Sequence, residues 1–325
     1  MSSHQPVASS RLSSSHARTF AISAALALAL TTACARAQIV IDPTFDSSVT
    51  SLSDAAAFES AVNYAISQIE GDFTSATPLV LHINIDASSD PSVLGQSSTN
   101  LFGYLSYSDV VSSLKANATD SLQTTAYGYL PVTDPTSGAT FLISAAEAQA
   151  LGLVNYSGSD GTFTFGTSFS YALDPNNRAV PGEFDFIGVA EHEITEIMGR
   201  IPGLDQPGFP YYLPYDLFRF TAPGTLAVND NGAGVYFSVD NGQTDLLNYN
   251  DGALLGGDPQ DWAGQTNDTF NAFTGPGVEN LMSTTDLDVM NVLGYELSST
   301  PEPQTWALLA GGLALVCYLQ RRARA

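Results

Sequence analysis

The residue types best suited to chemistry are concentrated in one stretch, Phe184-Asp-Phe-Ile-Gly-Val-Ala-Glu-His192-Glu193-Ile-Thr-Glu196-Ile-Met-Gly199-Arg200. Its apolar positions recur at helical spacing, which predicts a helix over 184–199 closed by a glycine. On such a helix His192 and Glu196 lie one turn apart on the same face, placed to grip a cation between an imidazole and a carboxylate. Glu193 stands beside them, where a carboxylate can take a proton from a water activated by that cation. Ile194, Ile197 and Met198 fall on the side expected to face the core, and Gly199 permits a sharp exit from the helix. The same spacing also arises on ordinary solvated helix faces, so residues elsewhere must decide between the two.

Three further groups bear on that choice. Gln260-Asp261-Trp262 lies in a Gly/Asp-rich loop, and Glu279-Asn280-Leu281-Met282-Ser283 precedes a short helical pattern. Asp216-Leu217-Phe218-Arg219 offers either another carboxylate ligand, Asp216, or an Asp216–Arg219 pair. His82 and His192 are the only imidazoles between residues 38 and 300, and His82 sits inside an apolar strand pattern, where a core or sheet-face role is expected.

Taken together these stretches resemble metzincin peptidases, whose helix reads H-E-x-x-H-x-x-G. Gly199 matches that pattern; Glu196 replaces the second histidine, and Pro202 stands where a third ligand would follow. In the leishmanolysin-like branch the third ligand comes after a long insertion, in a His-Trp pair. Asp261 with Trp262 occupies that place, and Met282 resembles the methionine turn beneath the metal. The likeness covers Phe184 to Tyr295 and extends loosely to Asp54–Asp86. It implies Glu193 as general base and His192, Glu196 and Asp261 as ligands of one divalent metal, with Asp261 preferred to Asp216. Zinc is expected first; one imidazole with two carboxylates is a hard, anionic set, so manganese is the alternative. The implied activity is hydrolysis of a protein or peptide substrate. The missing imidazoles leave open a peptidase-like surface or matrix-binding protein that no longer cuts. Asn229–Gly232 and Asp240–Asp245 read as hairpin turns, with structural calcium the alternative.

The elements that must position these residues are mixed in order. Helices are expected at Asp54–Ile69, Ser108–Ala116, Ala145–Leu151 and Asp286–Leu293, the last stopped by Gly294. Strands are expected at Leu79–Ile85, Phe141–Ile143, Thr162–Tyr171, Leu217–Phe220, Val235–Val239 and Leu246–Tyr249, with Gly203–Pro214 as loop. No internal repeat is present. This order predicts an α+β fold, and the resemblance implies a metzincin-like domain with a mixed twisted sheet packed on the active-site helix.

Both ends differ from this middle. Arg11 and Arg18, the apolar run Phe20–Leu30 and Ala35-Arg36-Ala37 read as a signal peptide over residues 1–37. Pro301-Glu302-Pro303, the apolar Trp306–Leu319 and Arg321, Arg322 and Arg324 resemble a PEP-CTERM sorting signal over 301–325. That resemblance implies an exosortase-type processing enzyme as partner and transient inner-membrane contact through 306–319; a lasting anchor is the alternative. The ectodomain is then 38–300, exported, and either secreted or kept at the cell surface or matrix. Cys34 and Cys317 both fall outside it, which leaves it without disulfides. A formal net charge of −23 excludes nucleic acid as a partner.

Overall fold

The computed structural model describes residues 37–298, apart from 76, 205–209, 229–233 and 265–266, together with 320–322. Residues 1–36 of the expected signal peptide, the apolar stretch 306–319 and the 229–232 turn therefore lie outside the described residues, while Ala37 opens the first strand. Among the described residues no helix is long and apolar enough to cross a membrane.

Strict alternation of buried and outward residues builds the central sheet. Strand β1 (Ala37–Phe45) buries Ile39 and Ile41. After the short β2 (Phe73–Ser75), strand β3 (Leu79–Ser88) buries Leu79, Leu81, Ile83 and Ile85. Two further strands matter here: β4 (Gly95–Thr99) and, after β5 (Leu101–Leu105) and β6 (Phe141–Ser144), β7 (Gly161–Gly166). β1, β3 and β7 run parallel, in the registers Ile39↔Leu79 and Ile83↔Gly161. β4 pairs antiparallel with β7 and forms one edge, giving the order β14-β2-β1-β3-β7-β4 with β14 at Glu296–Leu297. The fold is thus α+β around a curled mixed sheet.

Helices close one face of this sheet. Behind a single turn, α1 (Ser47–Thr50), helix α2 (Ala55–Asp72) buries Phe58, Val62, Ile66 and Ile69 at the helical period. Helices α3 (Tyr107–Ala116), α4 (Ser121–Tyr129) and α5 (Ala145–Ala150) follow, then the paired β8 (Tyr171–Ala172) and β9 (Phe184–Asp185), then α6 (Phe186–Ile197). Phe186 packs 5.1 Å from both Phe58 and Phe165, and Phe58 stacks on Phe165 at 4.6 Å. These rings seat α6 against α2 and the sheet. Beyond α6, strands β10 (Arg219–Ala222), β11 (Thr225–Leu226), β12 (Tyr236–Phe237) and β13 (Leu247–Asn248) form a second sheet, ordered β11-β10-β12-β13. The exposed turn α7 (Gly252–Leu255) and the helix α8 (Thr284–Val292), which buries Val289, Met290 and Val292, follow.

Several boundaries differ from those expected. The helix begins at Phe186, because Phe184 and Asp185 are drawn into parallel pairing with Tyr171 and Ala172. For the same reason the strand starting at Gly161 stops at Gly166. Residues 214–218 form a 3-10 helix led by Pro214, and only then does strand β10 start.

Candidate metal centre

Helix α6 is tied at both ends before any metal ligand is considered. Asp185 stands at its N-cap but makes no cap bond to it. Its carboxylate instead accepts from Arg178 Nε and Nη2 at 2.9 and 2.8 Å and from the Asn280 N–H at 2.9 Å. The start of the helix is thereby pinned to the Glu279–Ser283 segment. At the other end Arg200 N–H bonds to the Thr195 carbonyl and Gly199 N–H to that of Glu196, a Schellman closure. Gly199 adopts φ +120°, a conformation that favours glycine.

This closure turns Arg200 back beneath the last turn of α6. Its guanidinium is fully buried, lies 4.2 Å over the Phe270 ring, and donates to the His192 carbonyl at 3.2 Å. A loop some sixty residues further on supplies the other wall. Trp262 is fully buried, stacked beside Tyr249 at 5.1 Å, and donates its indole N–H to Asp286 Oδ1. Asp261 next to it is thereby presented to α6, while its own carbonyl accepts from the Asn250 N–H at 2.7 Å.

The three expected ligands converge. His192 Nε2 lies 3.6 Å from Glu196 Oε1 and 3.5 Å from Asp261 Oδ1. One ligand atom from each of His192, Glu196 and Asp261 falls within 4.8 Å of the others, so this cluster could hold a metal ion. Among the described residues it is the only such group of three. The donor set fits a divalent ion. His192 Nδ1 bonds the Thr269 carbonyl at 2.8 Å; a carbonyl can only accept, so that nitrogen carries the proton and Nε2 is left facing the carboxylates. Glu196 is held by Ser97 Oγ on one oxygen, at 2.7 Å, and by Gln260 Nε2 on the other, at 2.6 Å.

Burial governs the charges. It opposes protonation of His192, yet Asp261 and Glu196 outweigh it and push the imidazole up to about 10. It would raise Glu196 too, but the His192 hydrogen bond and the Arg200 charge hold that carboxyl down at about 2. In Asp261 burial prevails over the His192 and Arg200 charges and raises the group to about 6. Glu193 is raised well above the ordinary carboxylate range, by burial first and by Glu196 second.

A cleft of ≈ 200 Å³ opens from this cluster and is lined by Gly95, Val189, His192, Glu193, Asp258 and Asn280 among others. Glu193 presses on the edge strand so closely that a methyl on Gly95 would lie 2.6 Å from its Oε1.

The remaining candidates are elsewhere. Asp216 is buried and accepts from the N–H groups of Gly203 and Leu213, anchoring that loop outside the cluster. His82 pairs with Asp42 at 3.4 Å on the sheet. Asp240 is bonded by Thr244 and Ser238 within its turn. Met282 is half-buried against the core, and its neighbour Leu281 bonds Thr269 and Asn267, so this segment braces the turn that holds His192. Arg200, Ser97, Gln260 and Thr269 carry roles that sequence reasoning did not assign. For Arg200 a signal existed: only four basic residues occur between 38 and 300, and one directly follows the helix-closing glycine.

No family model matches the chain, and no curated protein or solved structure does.

Proposed function

We propose that this chain is an exported metal-dependent endopeptidase of the metzincin type, with a His-Glu-Asp variant of the usual ligand set. The observation that carries the reading is the convergence of His192, Glu196 and Asp261, with His192, Asp261 and Glu193 lining an open cleft. A divalent ion bound there, zinc first and manganese second, supplies the Lewis acidity that polarises a peptide carbonyl and acidifies a water. Glu193 takes the proton from that water and passes it to the departing amine. Burial and the neighbouring Glu196 raise its carboxyl above the ordinary range, and a cation held by the cluster would lower it again. Among the described residues strand β4 pairs on one side only, and its other edge, beside Glu193, suits an extended peptide laid along it by main-chain hydrogen bonds. Thr269 keeps the His192 ring oriented throughout. Export through the N-terminal signal and handling of the PEP-CTERM-like tail by an exosortase belong to this proposal and rest on sequence.

The test joins elemental analysis of the purified protein to casein hydrolysis by wild type and Glu193→Gln. The expected result is about one metal ion per chain and a loss of 10²–10⁴-fold in the variant. Equal rates would remove Glu193 from its role.

A second reading has its own observation. Arg200 already contacts both ligand carboxylates, and with a protonated His192 the cluster balances its charge without any metal. A peptidase-like surface or matrix-binding protein that does not cut would look like this. It predicts no bound transition metal and a melting temperature indifferent to chelator.

A further inference from the structure

Arg200 reaches the very atoms that face the imidazole. Its Nη1 lies 2.5 Å from Asp261 Oδ1 and its Nη2 3.4 Å from Glu196 Oε1. Those two oxygens stand 3.5 and 3.6 Å from His192 Nε2. The guanidinium is held from behind as well, by Thr195 Oγ1 at 3.3 Å, the His192 carbonyl at 3.2 Å and the face of Phe270. A carboxylate oxygen has two lone pairs, so it can accept from Arg200 with one and present the other to the cluster.

We infer that Arg200 is a positioning and charge-setting residue of the metal centre, remaining behind Asp261 and Glu196 when the cation binds and offsetting one of their two negative charges. This role rests on the metallopeptidase reading. Two carboxylates and one imidazole would carry a charge of −2; with Arg200 included the cluster carries −1, nearer to the neutral set that three imidazoles make. The consequence has two parts. The guanidinium repels the bound cation and so weakens its retention, and it keeps the cation more electrophilic by withdrawing ligand charge. Glu196 keeps its donors if Arg200 is removed, because Ser97 and Gln260 hold it independently, while Asp261 loses the Arg200 bond. In a buried site the charge effect prevails.

The full chain is titrated with zinc against a chromophoric chelator, and casein hydrolysis is followed, for wild type, Arg200→Gln and Arg200→Lys. Arg200→Gln is expected to bind zinc at least about tenfold more tightly while cutting more slowly. Arg200→Lys, which keeps the charge, is expected to stay within about threefold of the wild-type zinc affinity. An arginine of merely structural importance gives a different pattern, with affinity, hydrolysis and melting temperature falling together. Zinc affinity in Arg200→Gln equal to or below wild type overturns the role. If that variant does not fold, Arg200→Lys decides: a change in zinc affinity beyond about threefold overturns it. Should wild type itself bind neither zinc nor manganese, the metallopeptidase reading falls and takes this role with it. A wild type that binds metal beside an Arg200→Gln that does not tighten removes the role alone.

Discussion

The indole nitrogen of Trp262 donates to Asp286 Oδ1 across 2.6 Å, between two buried side chains. Asp286 also closes the capping box of α8 with Ser283, so one carboxylate fixes a helix start and the loop that carries Asp261. Trp262→Phe keeps most of the ring burial but leaves Asp286 without its indole donor. The expected loss is about 1–3 kcal/mol of unfolding free energy, read as a lower urea midpoint. Weaker metal binding should accompany it, because Asp261 is the adjacent residue. Unchanged metal affinity in a destabilised variant would mean that Asp261 is oriented by Arg200 alone.

Gly95 tests the assignment of Glu193 without touching a ligand. A methyl there would lie 2.6 Å from both Glu193 Oε1 and Val189 Cγ1. Gly95→Ala should displace the Glu193 carboxyl and lower casein hydrolysis by about 10²-fold, the effect typical of a small misplacement. Metal content should stay at the wild-type value. A variant that cuts normally would place the working base elsewhere.

Gly199 adopts a backbone conformation that other residues rarely adopt, and a methyl on it would meet Glu147 Oε2 at 2.8 Å. Gly199→Ala is expected to destabilise by about 1–3 kcal/mol from strain alone. It should also disturb Arg200, which depends on this turn to reach the cluster. Calorimetric melting of wild type and variant, each stripped of metal, measures the first effect; chelator competition measures the second.

The pH dependence of the metal-free protein follows from the buried groups. Glu191 and Asp286 are each pushed up to about 8, by burial first, from ordinary values of 4.5 and 3.8. Their protonated forms are favoured in the fold, so the stability they contribute is full below those ordinary values and is lost as pH rises through 8. His192, raised from 6.5 to about 10, acts in the same direction across the interval between those values. Glu196 opposes them: its contribution is full above 4.5 and disappears as pH falls towards 2. The melting temperature after chelation should therefore be highest near pH 4–5 and fall steadily to pH 9. Zinc affinity should rise over the same alkaline range, because His192 must lose a proton to bind. A melting temperature that rises from pH 5 to 8 in chelator would contradict these assignments.

Much of the frame was legible before any coordinates. Phe58, Val62, Ile66 and Ile69 repeat at the helical period, and Leu79, Leu81, Ile83 and Ile85 alternate; both patterns became α2 and β3. The edge strand β4 was not, since Gly-Gln-Ser-Ser-Thr has no apolar alternation and owes its conformation to the ladder offered by β7. Helix α4 was missed for a related reason. Its Thr-Thr-Ala-Tyr-Gly run is a poor helix former, stabilised by the Asp120 cap and by buried Gln123 bonding the Asn291 carbonyl.

The candidate metal centre divides in the same way. That His192 and Glu196 face one direction with Glu193 beside them is a property of consecutive residues in a helix, and the sequence determined it by itself. Only the tertiary structure decided that Asp261 closes the cluster while Asp216 anchors a loop, and that Arg200 and Ser97 hold the carboxylates. Those contacts join residues separated by 61 and 99 positions. Such pairings depend on how the second sheet and the edge strand pack, and no local periodicity encodes that.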